Sequence, residues 1–444
     1  MDRVRRGRQV LLGLAVAAVL TASGCTTGLP EASAPPSPVS ASQPVAGSAA
    51  ACVPNAQEVV AAKNTQSTKP MSAEQAAAYD KAAAAVFAQV QADAPAVIVG
   101  VRSPQGTWTK AYGVADLASG AAASVDMYQR IASVTKTFVA TAVLQLAEQG
   151  NLSLDDPIDD YVPKVPNGSR ITLRELFSMT SGLADYQDEP TLQAEWLADP
   201  EASWTTDQLL DAAWELPTKF PPGSDMFYSN TNYILLGLAI EQVTGKTLAE
   251  VIETQLLDPL HLSSTTLPTS SAYPTPHLNG YSTLPNALTG TAPVNKWADT
   301  TEWNPQLFGA AGAMTSTVDD LLTWGRVLGT GQGVLSASTQ VQRLESFGTS
   351  NISADDFYGD GLTCKDGWLG HAGTFMGYNT NLVYHPGIDT TIVVEATGND
   401  GSSTPPRLAV TQELTSALGA VAGEPPTPIV VSAEFQVQAP VPEL

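Results

Sequence analysis

The sequence predicts an α/β (α+β) fold in which an antiparallel sheet, flanked by helices, carries a mainly helical insertion. Residues 96–101 and 108–114 are short apolar runs, and they predict the two arms of a hairpin. Two further β-rich runs, 378–384 and 390–396, follow each other across a Pro-Gly turn near the other end of the chain. The intervening residues 137–305 have a helical and loop-rich pattern, which is typical of an insertion between two parts of one sheet.

The flanking helices follow from composition and periodicity. Residues 72–92 are rich in alanine and predict a helix before the first strand. Apolar residues recur at three- and four-residue steps over 133–146, and a second apolar helix is expected over 233–243. We expect the sheet to resume after about residue 310 and a helix over 407–418 to pack back on it.

The N-terminus has the pattern of an export signal. Arginines precede an apolar stretch, residues 10–20, that is too short to span a bilayer comfortably. The small residues that lead to Cys25 resemble a bacterial lipobox, so residues 1–24 are expected to be removed and a lipid attached to Cys25. The alternative is an ordinary signal peptide with Cys25 incidental. A lipid would anchor the protein to the outer face of the bacterial cytoplasmic membrane, or in a periplasm-like space.

The remaining domain boundaries follow from composition. Residues 25–71 would form the lipidated cysteine with a flexible tether and N-terminal extension, since Ala, Ser, Pro, Thr and Gly dominate the residues after Cys25. One folded domain is expected over 72–424, followed by a Pro-rich tail over 425–444.

The charge balance and residue counts argue against several function classes. With 44 Asp and Glu against 21 Lys and Arg, the chain has no basic surface suited to nucleic acid. It has four histidines and neither a metal-ligand spacing nor a dinucleotide or P-loop motif. No Gly-x-Ser-x-Gly elbow is present, which argues against an ordinary α/β-hydrolase. We therefore expect no metal and no cofactor. We also expect the protein to be a monomer.

A Ser-x-x-Lys motif formed by Ser133 and Lys136 carries the predicted chemistry. Residues three apart lie on one helical face, so the Lys136 amine can reach the Ser133 hydroxyl and remove its proton. The lysine can act as a base only if burial or a cationic neighbour lowers its pKa. The alternative is a serine that caps the helix, with an unrelated lysine one turn later.

Two later motifs could complete such a site. Tyr228 and Asn230 lie two apart after a Pro/Gly turn, where they could relay a proton and hold a substrate carbonyl; a core tyrosine and a helix cap are the alternative. His371 and Gly373 lie in a predicted strand, where small residues would let a substrate backbone approach. The backbone N–H of Thr374 could form an oxyanion hole with that of Ser133. His371 could equally be a structural histidine.

The preceding Lys-Asp-Gly triplet, residues 365–367, is a rival for the third motif. Asp-Gly is a strong hairpin dipeptide, so we interpret the triplet as the turn before the strand.

The three motifs, in this order, resemble the signature motifs of the penicillin-recognising serine hydrolases, and within them the class C β-lactamases and secreted DD-peptidases. The resemblance extends over residues 75–420 and includes the stretches 150–158, 171–183 and 312–322. It implies the β-lactamase/DD-peptidase fold, and it makes Ser133 the acylated nucleophile with Lys136 as its base.

By the same resemblance, Tyr228 would be a proton relay, and Asn230, His371, Gly373 and Thr374 would bind substrate. The implied activity is that of a D-alanyl-D-alanine carboxypeptidase on peptidoglycan stem peptides, with β-lactams acylating the same serine. A β-lactamase or an esterase of the same family is the alternative, and a non-catalytic lipoprotein that binds cell-wall fragments is an alternative of another class. One departure is the histidine at 371, where class C β-lactamases usually have lysine. It offers a substrate carboxylate less charge.

Two cysteines remain once Cys25 is assigned to the lipid. In an exported chain Cys52 and Cys364 invite a disulfide, which would tie the N-terminal extension to the sheet. Two free thiols are the alternative, because sequence does not show whether the two residues lie close together.

Overall fold

A computed structural model describes residues 52–283, 297–347, 357–398 and 410–426. Residues 1–24, Cys25 and the tail after residue 426 lie outside the described residues, so the predictions made for them stay predictions. Among the helices of the described ranges, none has the length and apolar character needed to cross a bilayer.

The main sheet has eight strands in the order β3-β2-β1-β12-β11-β10-β9-β8, and every neighbouring pair is antiparallel. Two short pairs, β4 with β7 and β5 with β6, lie outside it. The strands are β1 (Ala96–Ser103), β2 (Gly106–Asp116), β3 (Ala121–Ala122), β4 (Gln129–Arg130), β5 (Tyr281–Ser282), β6 (Ala298–Asp299), β7 (Thr315–Ser316), β8 (Phe357–Tyr358), β9 (Thr363–Lys365), β10 (Trp368–Phe375), β11 (Tyr378–His385) and β12 (Thr390–Thr397). The predicted antiparallel sheet is confirmed.

The helices surround this sheet. They are α1 (Ala56–Ala61), α2 (Ala73–Val90), α3 (Thr135–Glu148), α4 (Leu173–Phe177), α5 (Pro190–Ala198), α6 (Thr206–Trp214), α7 (Asn230–Thr244), α8 (Leu248–Ile252), α9 (Asp258–Leu260), α10 (Gly309–Gly312), α11 (Val318–Thr330), α12 (Ala337–Glu345) and α13 (Val410–Ala422). The expected helices at 72–92 and 233–243 correspond to α2 and α7.

The sheet joins the two ends of the hydrolase domain. Strand β1 pairs with β12, so that Gly100 faces Val393, and the predicted meander at the other end forms β10, β11 and β12. The main sheet resumes only at Phe357, later than the sequence predicts, because residues 309–345 form α10, α11 and α12 and the short strand β7 pairs with β4.

Each face of the sheet is covered by helices. On one face α2 and α13 pack against the sheet, as expected for the last helix. On the other face α11 lies against β1, β11 and β12, and α3 packs against α11 through Phe138 and Trp324, whose rings stack 4.0 Å apart. Residues 135–146 of α3 are all buried, as expected of a helix that is apolar on every side. The core therefore fixes the start of α3 beside β10.

The N-terminal extension is attached to the sheet by a disulfide and by hydrogen bonds. Cys52 and Cys364 form a disulfide with a Cα–Cα distance of 6.1 Å, where the sequence left a disulfide and free thiols open. Further along, Thr65 donates to the Asp389 carboxylate through its backbone nitrogen and its hydroxyl, at 2.8 and 2.7 Å. Arg326 forms a buried ion pair with the same carboxylate at 2.9 Å. The extension is thus attached beside β9, the neighbour of β10.

Candidate active site

Ser133 lies in a single 3₁₀ turn, Ala132–Val134, that leads from β4 into α3. Ala132 has a φ of +48°, in the left-handed region that non-glycine residues rarely adopt. Such strained residues cluster at functional sites, where the surrounding structure holds them in place. Here the turn leaves the Ser133 side chain half-buried, while the residues on both sides of it are fully buried.

Lys136 is completely buried, and its amine has three partners. It donates to the Ser133 hydroxyl oxygen at 3.0 Å, to Asn230 Oδ1 at 2.7 Å and to the Ala311 carbonyl oxygen at 2.8 Å. Burial lowers the pKa of Lys136 to about 7, although the nearby Asp185 carboxylate opposes the shift. The neutral amine is therefore well populated near pH 7, as a base requires.

Tyr228 also contacts Ser133. Its hydroxyl hydrogen-bonds to Ser133, and the Lys136 nitrogen lies 4.9 Å from the centre of its ring. The segment that carries it is held by Met179, whose carbonyl oxygen accepts from the Phe227 nitrogen at 2.9 Å. Burial raises the pKa of Tyr228 well above its usual value, so its hydroxyl stays protonated near neutrality and can donate but not act as the base.

Asn230 is the first residue of α7, and each end of its carboxamide has a partner. Its oxygen accepts from Lys136, while its Nδ2 donates to Asp185 Oδ2 at 2.8 Å and to Gln187 Oε1 at 3.1 Å. In this arrangement the amide holds the lysine, with both N–H groups engaged. A role in holding a substrate carbonyl stays a prediction, and it would require Nδ2 to leave Gln187.

Strand β10 passes directly beside Ser133. A Cβ atom on Gly373 would lie 2.8 Å from the Ser133 nitrogen and 2.4 Å from the Ile131 oxygen, so only glycine fits there. The pairing of β9 with β10 extends to Gly370, and the turn that carries Ser133 packs against β10 and β11. Thr374 pairs with Asn379 of β11, and its side chain is exposed. The oxyanion pair of Ser133 and Thr374 nitrogens stays a prediction.

The His371 side chain is buried, and both ring nitrogens have partners. Nδ1 lies against the Ala372 carbonyl oxygen, so it carries the proton, and Nε2 lies 3.2 Å from the Tyr358 hydroxyl, which can donate to it. Burial and the Lys136 charge lower the pKa of His371 to about 3. The imidazole is therefore neutral, and its predicted contact with a substrate carboxylate would lack a positive charge.

Sequence reasoning missed three contributors to this site. Asp185 and Tyr358 lie in segments that no motif singled out, and Ala311 contributes only a backbone carbonyl, which leaves no signal in the sequence. The signal for Asp185 is an acidic residue within the largely apolar stretch 183–186, where a carboxylate needs a partner. The turn proposed for residues 365–367 is confirmed, since Asp366 and Gly367 have φ of +50° and +79° between β9 and β10.

A model of the beta-lactamase family matches residues 81–415. The chain belongs to the beta-lactamase family. It is therefore a member of the serine hydrolases that share this fold, and the resemblance to penicillin-recognising enzymes noted from the three motifs is confirmed. Among the described residues, no group of three His, Cys, Asp or Glu side chains is placed to hold a metal.

This family member is similar to curated proteins and to solved structures. Protein flp of Staphylococcus aureus (strain COL) is 29% identical over 306 residues, which cover 65% of this chain and 57% of that protein, so the chain matches little more than half of it. The crystal structure of a D-stereospecific amidohydrolase from Streptomyces sp. is 30% identical, with a TM-score of 0.64, over 72% of this chain and 94% of that one. The structure of a penicillin binding protein from Bacillus halodurans is 23% identical, with a TM-score of 0.65, over 76% of this chain and 99% of that one. At this identity the likeness shows the fold alone.

Proposed function

We propose that this beta-lactamase family member is a D-alanyl-D-alanine carboxypeptidase-like enzyme that acts on peptidoglycan stem peptides through an acyl-enzyme on Ser133. One observation carries the acyl-enzyme chemistry. Two carbonyl-type oxygens, Asn230 Oδ1 and the Ala311 oxygen, and one hydroxyl surround the Lys136 nitrogen. A neutral amine has two N–H donors and one lone pair. When its donors face the two oxygens, its lone pair faces the Ser133 hydroxyl.

The proposed reaction follows from this arrangement. Ser133 Oγ attacks the substrate carbonyl carbon as its proton passes to the Lys136 amine, and backbone N–H groups of Ser133 and Thr374 would stabilise the oxyanion. The C–N bond then breaks, and the leaving amine takes a proton through Tyr228, which Lys136 resupplies. A water molecule then gives a proton to the Lys136 amine and attacks the ester, and Ser133 Oγ regains a proton from Lys136 as the acid is released.

The substrate side of the proposal is supported by the edge of β10. Because β9 pairs with β10 only as far as Gly370, and Gly373 lies against the backbone of Ser133, an extended peptide could lie along this edge with its carbonyl near Ser133. The lipid on Cys25 would hold the enzyme at the outer face of the cytoplasmic membrane, close to such peptides.

A second candidate is a D-stereospecific amidase. The neutral His371 gives a free C-terminal carboxylate no cation, and the structure of a Streptomyces amidohydrolase with that stereospecificity is similar. A peptide ending in D-Ala-D-Ala and its C-terminal amide would separate the two candidates. A higher kcat/KM for the free acid supports the carboxypeptidase, and a higher kcat/KM for the amide supports the amidase.

The decisive experiment treats the purified protein and Ser133→Ala with a labelled penicillin, and locates the label by mass spectrometry. Turnover of the two peptides, a cephalosporin and a p-nitrophenyl ester is followed in parallel. A Ser133 adduct with release of D-Ala supports the proposal. Fast cephalosporin turnover would indicate a β-lactamase, and ester turnover alone an esterase. Neither adduct nor turnover, with binding of cell-wall fragments retained in Ser133→Ala, would leave a binding protein.

A further inference from the structure

Asp185 lies behind the active site, and its carboxylate is buried. Its Oδ2 accepts two hydrogen bonds from the same residue, from the backbone nitrogen and from Nδ2 of Asn230, each at 2.8 Å. Its Oδ1 accepts from the Gln187 nitrogen at 2.9 Å, which caps the 3₁₀ turn Tyr186–Asp188. Asp185 thus connects this turn to the first residue of α7.

We propose that Asp185 is a positioning residue, which holds the Asn230 carboxamide with its oxygen toward Lys136 and whose negative charge acts on that lysine. The inference rests on the proposed use of Lys136 as the base for Ser133.

The orientation argument depends on which groups can donate. A carboxylate only accepts hydrogen bonds, so the NH₂ end of the Asn230 amide must face Asp185, and its oxygen then faces the lysine. The reversed amide would place two oxygens together at Asp185 and two sets of N–H donors together at Lys136. Because the Asn230 backbone nitrogen is held by the same Oδ2, the side chain has little freedom to turn.

The charge argument considers the groups that surround both residues. Lys136 of α3 faces Asp185. Tyr186, Asp188 and Tyr228 also interact with the charge of Asp185. Asp188 is paired with Lys219 on the surface at 3.3 Å. His371, Tyr228 and Tyr233 lie around Lys136 and are neutral near pH 7. Burial raises the pKa of Asp185 to about 6, so its carboxyl group is mostly ionised near pH 7, where it is the anion that most directly favours the charged form of the lysine.

Two variants and one control separate positioning from general stability. Asp185→Asn keeps the shape and removes the charge, Asp185→Ala removes the anchor, and Asp188→Asn removes a neighbouring charge that does not touch Asn230. Two quantities are measured in each folded protein. The first is the titration of Lys136 by NMR of ¹³C-labelled lysine, with its signal assigned from Lys136→Met. The second is the pH profile of Ser133 acylation by a labelled penicillin.

Asp185→Asn is expected to lower the titration midpoint of Lys136 by about one unit, and to move the acid limb of the acylation profile equally. Asp185→Ala is expected to slow acylation about 10²-fold, because the amide that holds the lysine is then free to turn. In Asp188→Asn, the midpoints of the Lys136 titration and of the acylation profile should stay within about 0.3 pH units of the wild-type values, since the charge of Asp188 is exposed and screened.

Equal Lys136 midpoints in wild type and Asp185→Asn would overturn the inference, even if Ser133 is acylated normally. If no probe acylates the wild-type Ser133, the proposed function fails. The NMR titration would still decide whether Asp185 acts on Lys136. If Asp185→Ala does not fold, the comparison of Asp185→Asn with Asp188→Asn decides whether Asp185 acts on Lys136.

Discussion

Gly373 of β10 lies against the backbone of Ser133, so closely that a Cβ atom on the glycine would come within 2.8 Å of the Ser133 nitrogen. The two residues are far apart in the sequence, and they meet because the turn before α3 packs against β10. The contact fixes the spacing between β10 and the backbone of Ser133.

Gly373→Ala is expected to disrupt this approach. The new methyl group would also lie 2.4 Å from the Ile131 oxygen, and neither contact can be relieved by rotating a side chain. The turn must therefore shift, which moves the Ser133 nitrogen away from the proposed oxyanion site. We expect the rate of Ser133 acylation to fall about 10²–10³-fold while the protein stays folded. Acylation by a labelled penicillin and thermal unfolding measure the two effects.

The matched control is Ala372→Gly, a change of the same size at the preceding position of the strand, whose side chain points to the opposite face of the sheet. Equal acylation rates in Gly373→Ala and wild type would show that the spacing between β10 and Ser133 is not critical.

The acylation rate is expected to rise with pH through a midpoint of about 7, the pKa of buried Lys136. The sign follows from the base being the neutral amine, which forms as the pH rises through the pKa. His371, whose pKa is lowered to about 3, stays neutral across this range and contributes nothing to the limb. Tyr228 stays protonated because burial raises its pKa. The measurement is the pH dependence of kcat/KM or of acylation.

Lys136→Arg should lower the rate about 10³-fold, because a guanidinium does not lose its proton near neutrality. The exposed Lys81→Arg is the matched control. A His371→Asn variant should keep the pH midpoint of the acylation rate, whatever the size of that rate. If the midpoint instead disappears in His371→Asn, the histidine and not the lysine controls the rise of the rate with pH.

Local chemistry made parts of this molecule predictable. Ser133 and Lys136 are one helical turn apart, so their contact follows from helix geometry alone. The meander of β10, β11 and β12 has short connections with turn residues, and sequence therefore predicts its strands.

Contacts between distant segments were harder to predict. Asp185 reaches Asn230 across 45 residues, and only the docking of a 3₁₀ turn on α7 brings them together. The late return of the sheet had a similar cause, since α11 and α12 pack against strands and segments far away in sequence.

Glu395 is expected to make the folded state less stable as the pH rises. It lies in the middle of the sheet on β12, opposite Ile98 and Thr380, and it is fully buried. Among the described residues, neither of its carboxyl oxygens has a hydrogen-bond partner. Burial raises its pKa well above 4.5, so the folded state keeps the proton that the unfolded state loses above that pH.

The free energy of unfolding therefore falls as the pH rises above the pKa of Glu395 in the unfolded state. The loss is about 1.4 kcal/mol per pH unit until the pKa of Glu395 in the folded state is reached. Glu395→Gln removes this dependence, so its free energy of unfolding relative to wild type should increase between pH 5 and pH 7. Urea unfolding at several pH values measures it. Exposed Glu345→Gln is the control and should run parallel to wild type. Parallel curves for Glu395→Gln as well would mean that the carboxyl is ionised in the folded protein.

Loss of the disulfide between Cys52 and Cys364 is expected to reduce stability more than activity. The bond joins residues 312 apart and restricts the unfolded chain, so replacing both cysteines by alanine should lower the free energy of unfolding by about 2–4 kcal/mol. Cys364 pairs with Leu369 on β10, four residues before Gly373, which is about 13 Å along a strand. We therefore expect the Ser133 acylation rate to change little.

Denaturant unfolding with and without a reducing agent measures the first effect, and acylation of both proteins measures the second. The double variant is its own control, because a reducing agent should not change its unfolding. If reduction leaves the wild-type protein as stable as before, the other contacts of the extension, among them the hydrogen bonds from Thr65 to Asp389, are sufficient to hold it. If acylation falls together with stability, the disulfide also holds β10 in place beside Ser133, because β9, which carries Cys364, pairs with β10.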